Sequence, residues 1–151
     1  MDRDFVHRFI SQGVRTTATD ATTSIRGTLW AVSKSPQRHC CKNCSKTRTL
    51  SGGDPLQQPH DELLALLKGL KAHNVNVWCF TGYTFEQLLT NPQHKELLGY
   101  IDVLVDSPFV LAQRDTTLRF RGSTNQRILD VRASLAASRP VLTPYQESPI
   151  L

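Results

Sequence analysis

Three thiols lie close together in His39-Cys40-Cys41-Lys42-Asn43-Cys44. Cys41 and Cys44 form a Cys-x-x-Cys pair, a spacing that lets both side chains turn inward on a tight loop and recurs at zinc, iron–sulfur and redox sites. Three thiolates suffice for a cluster with one iron left open, and His39 beside Cys40, Cys41 and Cys44 makes a donor set for zinc. No second Cys-x-x-Cys follows, so the residues by themselves leave cluster, zinc and no metal all open. A second chemical stretch, Ser51-Gly52-Gly53-Asp54-Pro55-Leu56, reads as a strand running into a ligand loop. Consecutive glycines let the main chain approach a bound molecule closely, Asp54 offers an acceptor, and Pro55 stops the strand. An ordinary strand-to-helix turn has the same composition.

The elements around this loop are regular from residue 47 onward. Thr47–Leu50 leads into the glycines. Pro59 and Asp61 open a helix whose Leu63, Leu64, Leu66, Leu67 and Leu70 make a wide apolar face, and Asn74 ends it. Residues 75–80 are β-branched and aromatic, with Val75, Val77 and Cys79 on one side and Trp78 and Phe80 on the other, the pattern of a strand covered on both faces. Thr84 with Gln87 is a capping-box signature for a helix over 85–89. Pro92 closes that helix, and another short one runs over 93–98. A third strand follows at 101–106 and ends on Asp106. Strand, helix, strand, helix, strand predicts a parallel α/β sheet.

Ligands collect at the carboxyl ends of such strands. Here those ends are Gly52-Gly53-Asp54, Thr81-Gly82-Tyr83 and Asp106. Three loops on one edge argue better for a small-molecule site, with Gly52, Gly53, Asp54 and Thr81 as its binding residues, than any one loop does. Cys79 is expected in the core. Residues 109–114 read as irregular, 118–127 as a polar surface loop, 128–131 as a strand, and 132–151, with Pro140, Pro144 and Pro149, as a Pro-containing tail of limited order.

The 151 residues are one domain's worth of chain. Residues 1–50 hold nine Lys/Arg against three Asp/Glu, and residues 51–151 nine against ten, so the basic character belongs to the N-terminal third. That third has no aromatic interleaving, so no nucleic-acid partner is expected. Apart from a possible short helix over 5–14 and a strand at 29–32, residues 1–46 read as an atypical basic segment carrying the Cys-rich loop. No run of about 18 apolar residues and no secretory leader is present, which predicts a cytoplasmic chain without a membrane partner and with reduced thiols.

Together, Leu50-Ser51-Gly52-Gly53-Asp54-Pro55-Leu56, Val77-Trp78-Cys79-Phe80-Thr81-Gly82-Tyr83-Thr84-Phe85-Glu86, Ile101-Asp102-Val103-Leu104-Val105-Asp106 and Phe120-Arg121-Gly122-Ser123-Thr124-Asn125-Gln126-Arg127 resemble the activating proteins of anaerobic ribonucleoside-triphosphate reductase, members of the radical S-adenosylmethionine enzymes. The resemblance covers about residues 49–131. It implies a partial, open (βα) barrel of mainly parallel strands and a [4Fe-4S] cluster on cysteines, here Cys40, Cys41 and Cys44. It further implies reductive cleavage of S-adenosylmethionine, and a glycyl radical made on the partner reductase with electrons from a donor such as flavodoxin. Gly52 and Gly53 match the motif that meets the methionine amino group. The family's first cysteine would fall at Gln37, with Cys40 off register. The eight residues from Cys44 to Gly52 are too few for a βαβ crossover. These departures support an alternative, a non-catalytic or truncated α/β binding module that has lost the cluster.

Overall fold

A computed structural model describes residues 22–25, 28–34 and 47–147. Its strands follow one another across a single sheet in chain order: β1 (Thr22–Ile25), β2 (Thr28–Lys34), β3 (Thr47–Ser51), β4 (Asn76–Phe80), β5 (Val103–Asp106) and β6 (Arg127–Asp130). The helices are α1 (His60–Ala72), α2 (Phe85–Thr90), α3 (Pro92–Leu98) and α4 (Val131–Ala137). The α/β class is as expected. The three strands read from the sequence, β3, β4 and β5, pair in parallel as expected, and the mainly parallel expectation needs correction only at the strands that flank them. The pairings β1–β2, β2–β3 and β5–β6 are antiparallel. The two parallel returns are those that carry the helices α1 and α2–α3, whereas the connection from β5 to β6 holds only the 3-10 turn Leu111–Gln113. The 5–14 helix expectation lies outside the described residues.

Local chemistry sets the element ends. Asn74 takes a left-handed φ of 53° after α1. Its N–H donates to Lys71 O at 3.0 Å and the N–H of Val75 donates to Leu70 O at 3.1 Å. This closes the helix as a Schellman motif, with the apolar pair Leu70 and Val75 both buried. Thr84 and Gln87 form the full capping box at the start of α2. Pro92 is the first residue of α3 rather than merely the stop of α2, a position where the missing N–H costs nothing. Strand β5 starts at Val103, two residues later than expected. The carboxylate of Asp102 instead accepts the Val77 N–H at 2.7 Å and the Lys71 ammonium, which ties α1 and β4 to the loop before β5.

The period-two alternation of β4 separates two apolar layers. Val77 and Cys79 join Leu50, Leu104 and Leu129 beneath α1, α2, α3 and α4, whose Leu63, Leu67, Phe85, Leu88, Leu97, Leu98 and Val131 are buried there. Trp78 points to the other face with Val103, Val105 and Ile128, and Phe80, Phe120 and Tyr145 cover them. The Trp78 ring meets Phe120 edge-on at 5.5 Å and Tyr145 at 5.6 Å. Tyr145 belongs to the stretch expected to be a poorly ordered tail, so that expectation is corrected for residues 132–147. Helix α4 crosses its boundary, Thr143 donates from its N–H to Ile128 O at 2.8 Å, and the Ile128 N–H donates to Gln146 Oε1 at 2.7 Å. Composition missed this because Pro144 does not interrupt the packing but opens a 3-10 turn, Pro144–Glu147. The strand expected over 128–131 is Arg127–Asp130, and Val131 instead begins α4, capped by the Asp130 side chain.

Candidate functional site

At the carboxyl ends of β3, β4 and β5 lies an open cleft of about 360 Å³, lined by Gly53, Asp54, Phe80, Thr81, Gly82, Ser107, Pro108, Phe109 and Gln126. Gly52 and Gly53 have φ of 83° and 61°, values that L side chains rarely adopt, so this turn needs glycine at both places. Asp54 caps the following 3-10 turn, its Oδ1 accepting the Leu56 N–H at 3.0 Å. The same carboxylate reaches across to the loop after β4, where Thr81 Oγ1 donates to Oδ2 at 2.9 Å and the Gly82 N–H donates at 2.8 Å. Asp54 thus fastens the two loops expected to bind a ligand to each other.

Of the residues singled out in sequence, Gly53, Asp54 and Thr81 meet at this cleft, with Gly52 in the same turn. Asp106 does not line it. Its carboxylate is fully buried, accepts the Phe85 N–H at 2.9 Å and the Arg127 Nε–H at 3.0 Å, and anchors the start of α2. Arg127 continues outward to Glu86, with Nη2 donating to Oε2 at 2.9 Å. That guanidinium holds the Glu86 carboxyl down at about 2, and the carboxylates of Asp106 first and Glu86 next raise the pKa of Arg127 in turn. Cys40, Cys41 and Cys44 lie outside the described residues, and His39 with them. Among the described residues no cluster of His, Cys, Asp and Glu is arranged to hold a metal ion. Cys79 is buried, and burial, followed by the nearby Asp54 charge, pushes its thiol up, so it offers no thiolate.

Sequence reading missed Ser107, Pro108, Phe109 and Gln126. Residues 109–114 have no periodicity to read, and 118–127 look like any polar surface loop. The density of amides and hydroxyls there was the available signal. Asn125 Nδ2 donates to Pro108 O at 2.8 Å, and Gln126 Nε2 donates to Ser107 O at 3.3 Å.

Two groups implied by the resemblance can be tested against these residues. The cleft is lined by Gly53 of the glycine turn and by the aromatic side chains of Phe80 and Phe109, a mixed polar and apolar surface of the kind small-molecule sites use. A cluster would call on Cys40, Cys41 and Cys44, which lie outside the described residues. Their connection, residues 35–46, is anchored at Lys34 and Thr47, and the register Lys34↔Arg48 places both anchors at the amino end of β3, away from Gly52.

The described residues form one α/β sheet with a glycine turn at its carboxyl edge. The family described as 4Fe-4S single cluster domain matches residues 31–129, and the chain belongs to it. Curated relatives carry the name anaerobic ribonucleoside-triphosphate reductase-activating protein. The protein of Haemophilus influenzae is 42% identical over 83 residues, 53% of this chain and 52% of the relative. That of Escherichia coli strain K12 is 37% identical over 87 residues, 56% of this chain and 55% of the relative. That of Enterobacteria phage T4 is 36% identical over 93 residues, 60% of this chain and 56% of the relative. The chain therefore spans about half the length of the curated relatives it matches. No solved structure matches it. No helix among the described residues is long and apolar enough to cross a membrane.

Proposed function

We propose that this chain binds S-adenosylmethionine at the carboxyl edge of its sheet and serves to activate anaerobic ribonucleoside-triphosphate reductase, as a radical S-adenosylmethionine activase built on part of an open (βα) barrel. The observation that carries this reading is the Asp54 link between the Gly52-Gly53 turn and Thr81-Gly82, which makes one preformed cleft from two loops. The names and identities of the relatives support it. A [4Fe-4S] cluster, held by Cys40, Cys41 and Cys44 and reduced by a donor such as flavodoxin, would supply the electron for reductive cleavage and hence for a glycyl radical on the reductase. The remaining work falls to described residues. The main-chain carbonyls of Gly52 and Gly53 accept from the ligand ammonium, which needs acceptors and no side chain in the way. Asp54 and Thr81 hold those carbonyls in place, while Phe80 and Phe109 give the cleft apolar walls that limit water.

The antiparallel β2–β3 pairing favours a second reading, a binding module without a cluster, because it anchors the cysteine connection at the amino end of β3. Anaerobic reconstitution with iron and sulfide separates the two. The first reading expects a full cluster's iron per chain, a visible absorbance bleached by dithionite, and 5′-deoxyadenosine formed from S-adenosylmethionine. S-adenosylmethionine binding by calorimetry without iron uptake would leave the second. No binding in either state would sink both. Zinc at one ion per chain would point instead to a zinc protein using His39 with the three cysteines.

A further inference from the structure

One wall of the cleft is a strained loop held from behind. Ser107 takes a φ of 77°, a left-handed value that costs an L residue energy and persists only where the surroundings fix it. Beyond it, Pro108 and the half-exposed Phe109 face the opening. The segment 121–126 lies directly behind this loop and makes successive bonds to its main chain. Gln126 Nε2 donates to Ser107 O at 3.3 Å, Asn125 Nδ2 donates to Pro108 O at 2.8 Å, and the Val110 N–H donates to Ser123 Oγ at 3.3 Å.

The holding segment is itself rigid. Gln126 Oε1 accepts the N–H groups of Gly122 at 2.8 Å and Ser123 at 3.2 Å, closing the turn on its own side chain. Arg121 gathers the carbonyls of Thr124 at 3.0 Å, Gln126 at 2.9 Å and Gln146 at 3.0 Å. A Cβ at Gly122 would lie 3.0 Å from Cδ2 of Phe109, so the ring is seated against a position only glycine fills without displacement.

We propose that Asn125 and Gln126 are positioning residues that hold the Ser107-Pro108-Phe109 wall at the spacing a purine nucleoside ligand needs. Gln126 also lines the cleft, but both atoms of its amide are engaged by Ser107, Gly122 and Ser123, so the amides act through the loop while the glycine turn meets the ammonium. The inference rests on the nucleoside reading above and extends it to residues with no expected contact to the ammonium. It predicts that removing either amide frees the wall while the sheet stays intact.

The test compares Asn125→Ala, Gln126→Ala and Gln126→Glu by amide hydrogen exchange and by S-adenosylmethionine calorimetry on the reconstituted chain. Both alanine variants are expected to exchange at Ser107 and Val110 about tenfold faster or more, roughly the loss of one hydrogen bond, with Val77–Phe80 unchanged. Affinity should fall about tenfold in parallel. Gln126→Glu keeps an acceptor for Gly122 and Ser123 but no donor for Ser107, so it should protect the turn yet still release the wall. Unchanged exchange at Ser107 and Val110 in both alanine variants would overturn the proposal. So would faster exchange with undiminished affinity. If the unsubstituted chain binds no S-adenosylmethionine, the nucleoside reading fails, and the exchange rates alone decide whether the two amides position the wall.

Discussion

Asp54 accepts the main-chain N–H of Gly82 at 2.8 Å across 28 residues of sequence, joining the ends of two neighbouring parallel strands through one carboxylate. The same group accepts from Thr81 Oγ1 and from the Leu56 N–H. Asp54→Ala removes a cap and the tie between loops, and should cost about 2–3 kcal/mol in urea unfolding. Asp54→Asn keeps one acceptor oxygen and should cost about half as much. Equal midpoints for the unsubstituted chain and the alanine variant would show that the tie contributes nothing to stability.

Arg127 poses a different balance, because one of its carboxylate partners is buried and the other is not. Asp106 has no exposed side-chain surface, whereas Glu86 is 55% exposed. Arg127→Met leaves a charge unpaired in the interior and should destabilise by about 3–5 kcal/mol. Glu86→Gln removes only the outer, solvent-screened pair and should cost less than about 1 kcal/mol. Urea unfolding of both variants at neutral pH reads the contrast directly.

The sequence made the sheet's central part legible and its borders obscure. Val77, Trp78, Cys79 and Phe80 alternate as a doubly covered strand must, and the two layers fall on the expected sides. Thr84, Gln87 and Asn74 announce their helix ends because capping and left-handed turns depend on residues close in sequence. The wall of the cleft was invisible for the opposite reason. Asn125 and Gln126 act on Pro108 and Ser107 from 17 and 19 residues away, and no local period records such a contact. Asp106 misled in the same manner: a carboxylate at a strand end reads as a ligand group, and only the placement of Arg127 on the adjacent antiparallel strand turns it into an anchor.

Acid should reveal the Glu86 pair. Its carboxyl is held at about 2, first by the hydrogen bond from Arg127, against an ordinary value of 4.5. A depressed carboxylate gives stability that is present above the unfolded value and is lost as pH falls through the folded one. The loss should therefore run from near pH 4.5 down to near pH 2. Glu86→Gln should flatten the stability profile in that window and lower it by a small constant amount above, which denaturant midpoints at stepped pH would check.

The glycine turn gives a backbone test. Gly52→Val and Gly53→Val place a β-branched side chain at φ of 83° and 61°. Such a residue is strained there by about 1–2 kcal/mol or more and also covers the carbonyls proposed to meet the ligand. Both variants should keep the far-UV circular dichroism of the parent and lose S-adenosylmethionine binding. Parental affinity in both would move the ligand site elsewhere.

Cys79 should behave unlike the other three cysteines. It lies on β4 with no exposed surface, its thiol pushed up by burial and then by the Asp54 charge, and its only described partner is Phe80 O at 3.9 Å. The thiolate is the reactive form, and both causes suppress it. Iodoacetamide at neutral pH should therefore leave Cys79 unmodified in the native chain and modify it after urea unfolding, as peptide mass spectrometry would record. Cys79→Ala should cost about 1–2 kcal/mol through lost packing and leave iron uptake unchanged. Cys79→Ser, which buries a hydroxyl among Leu50, Leu104 and Leu129, should cost more. Native-state labelling at Cys79, or a loss of iron in Cys79→Ala, would mean that this thiol has a place among the cluster ligands that its burial denies.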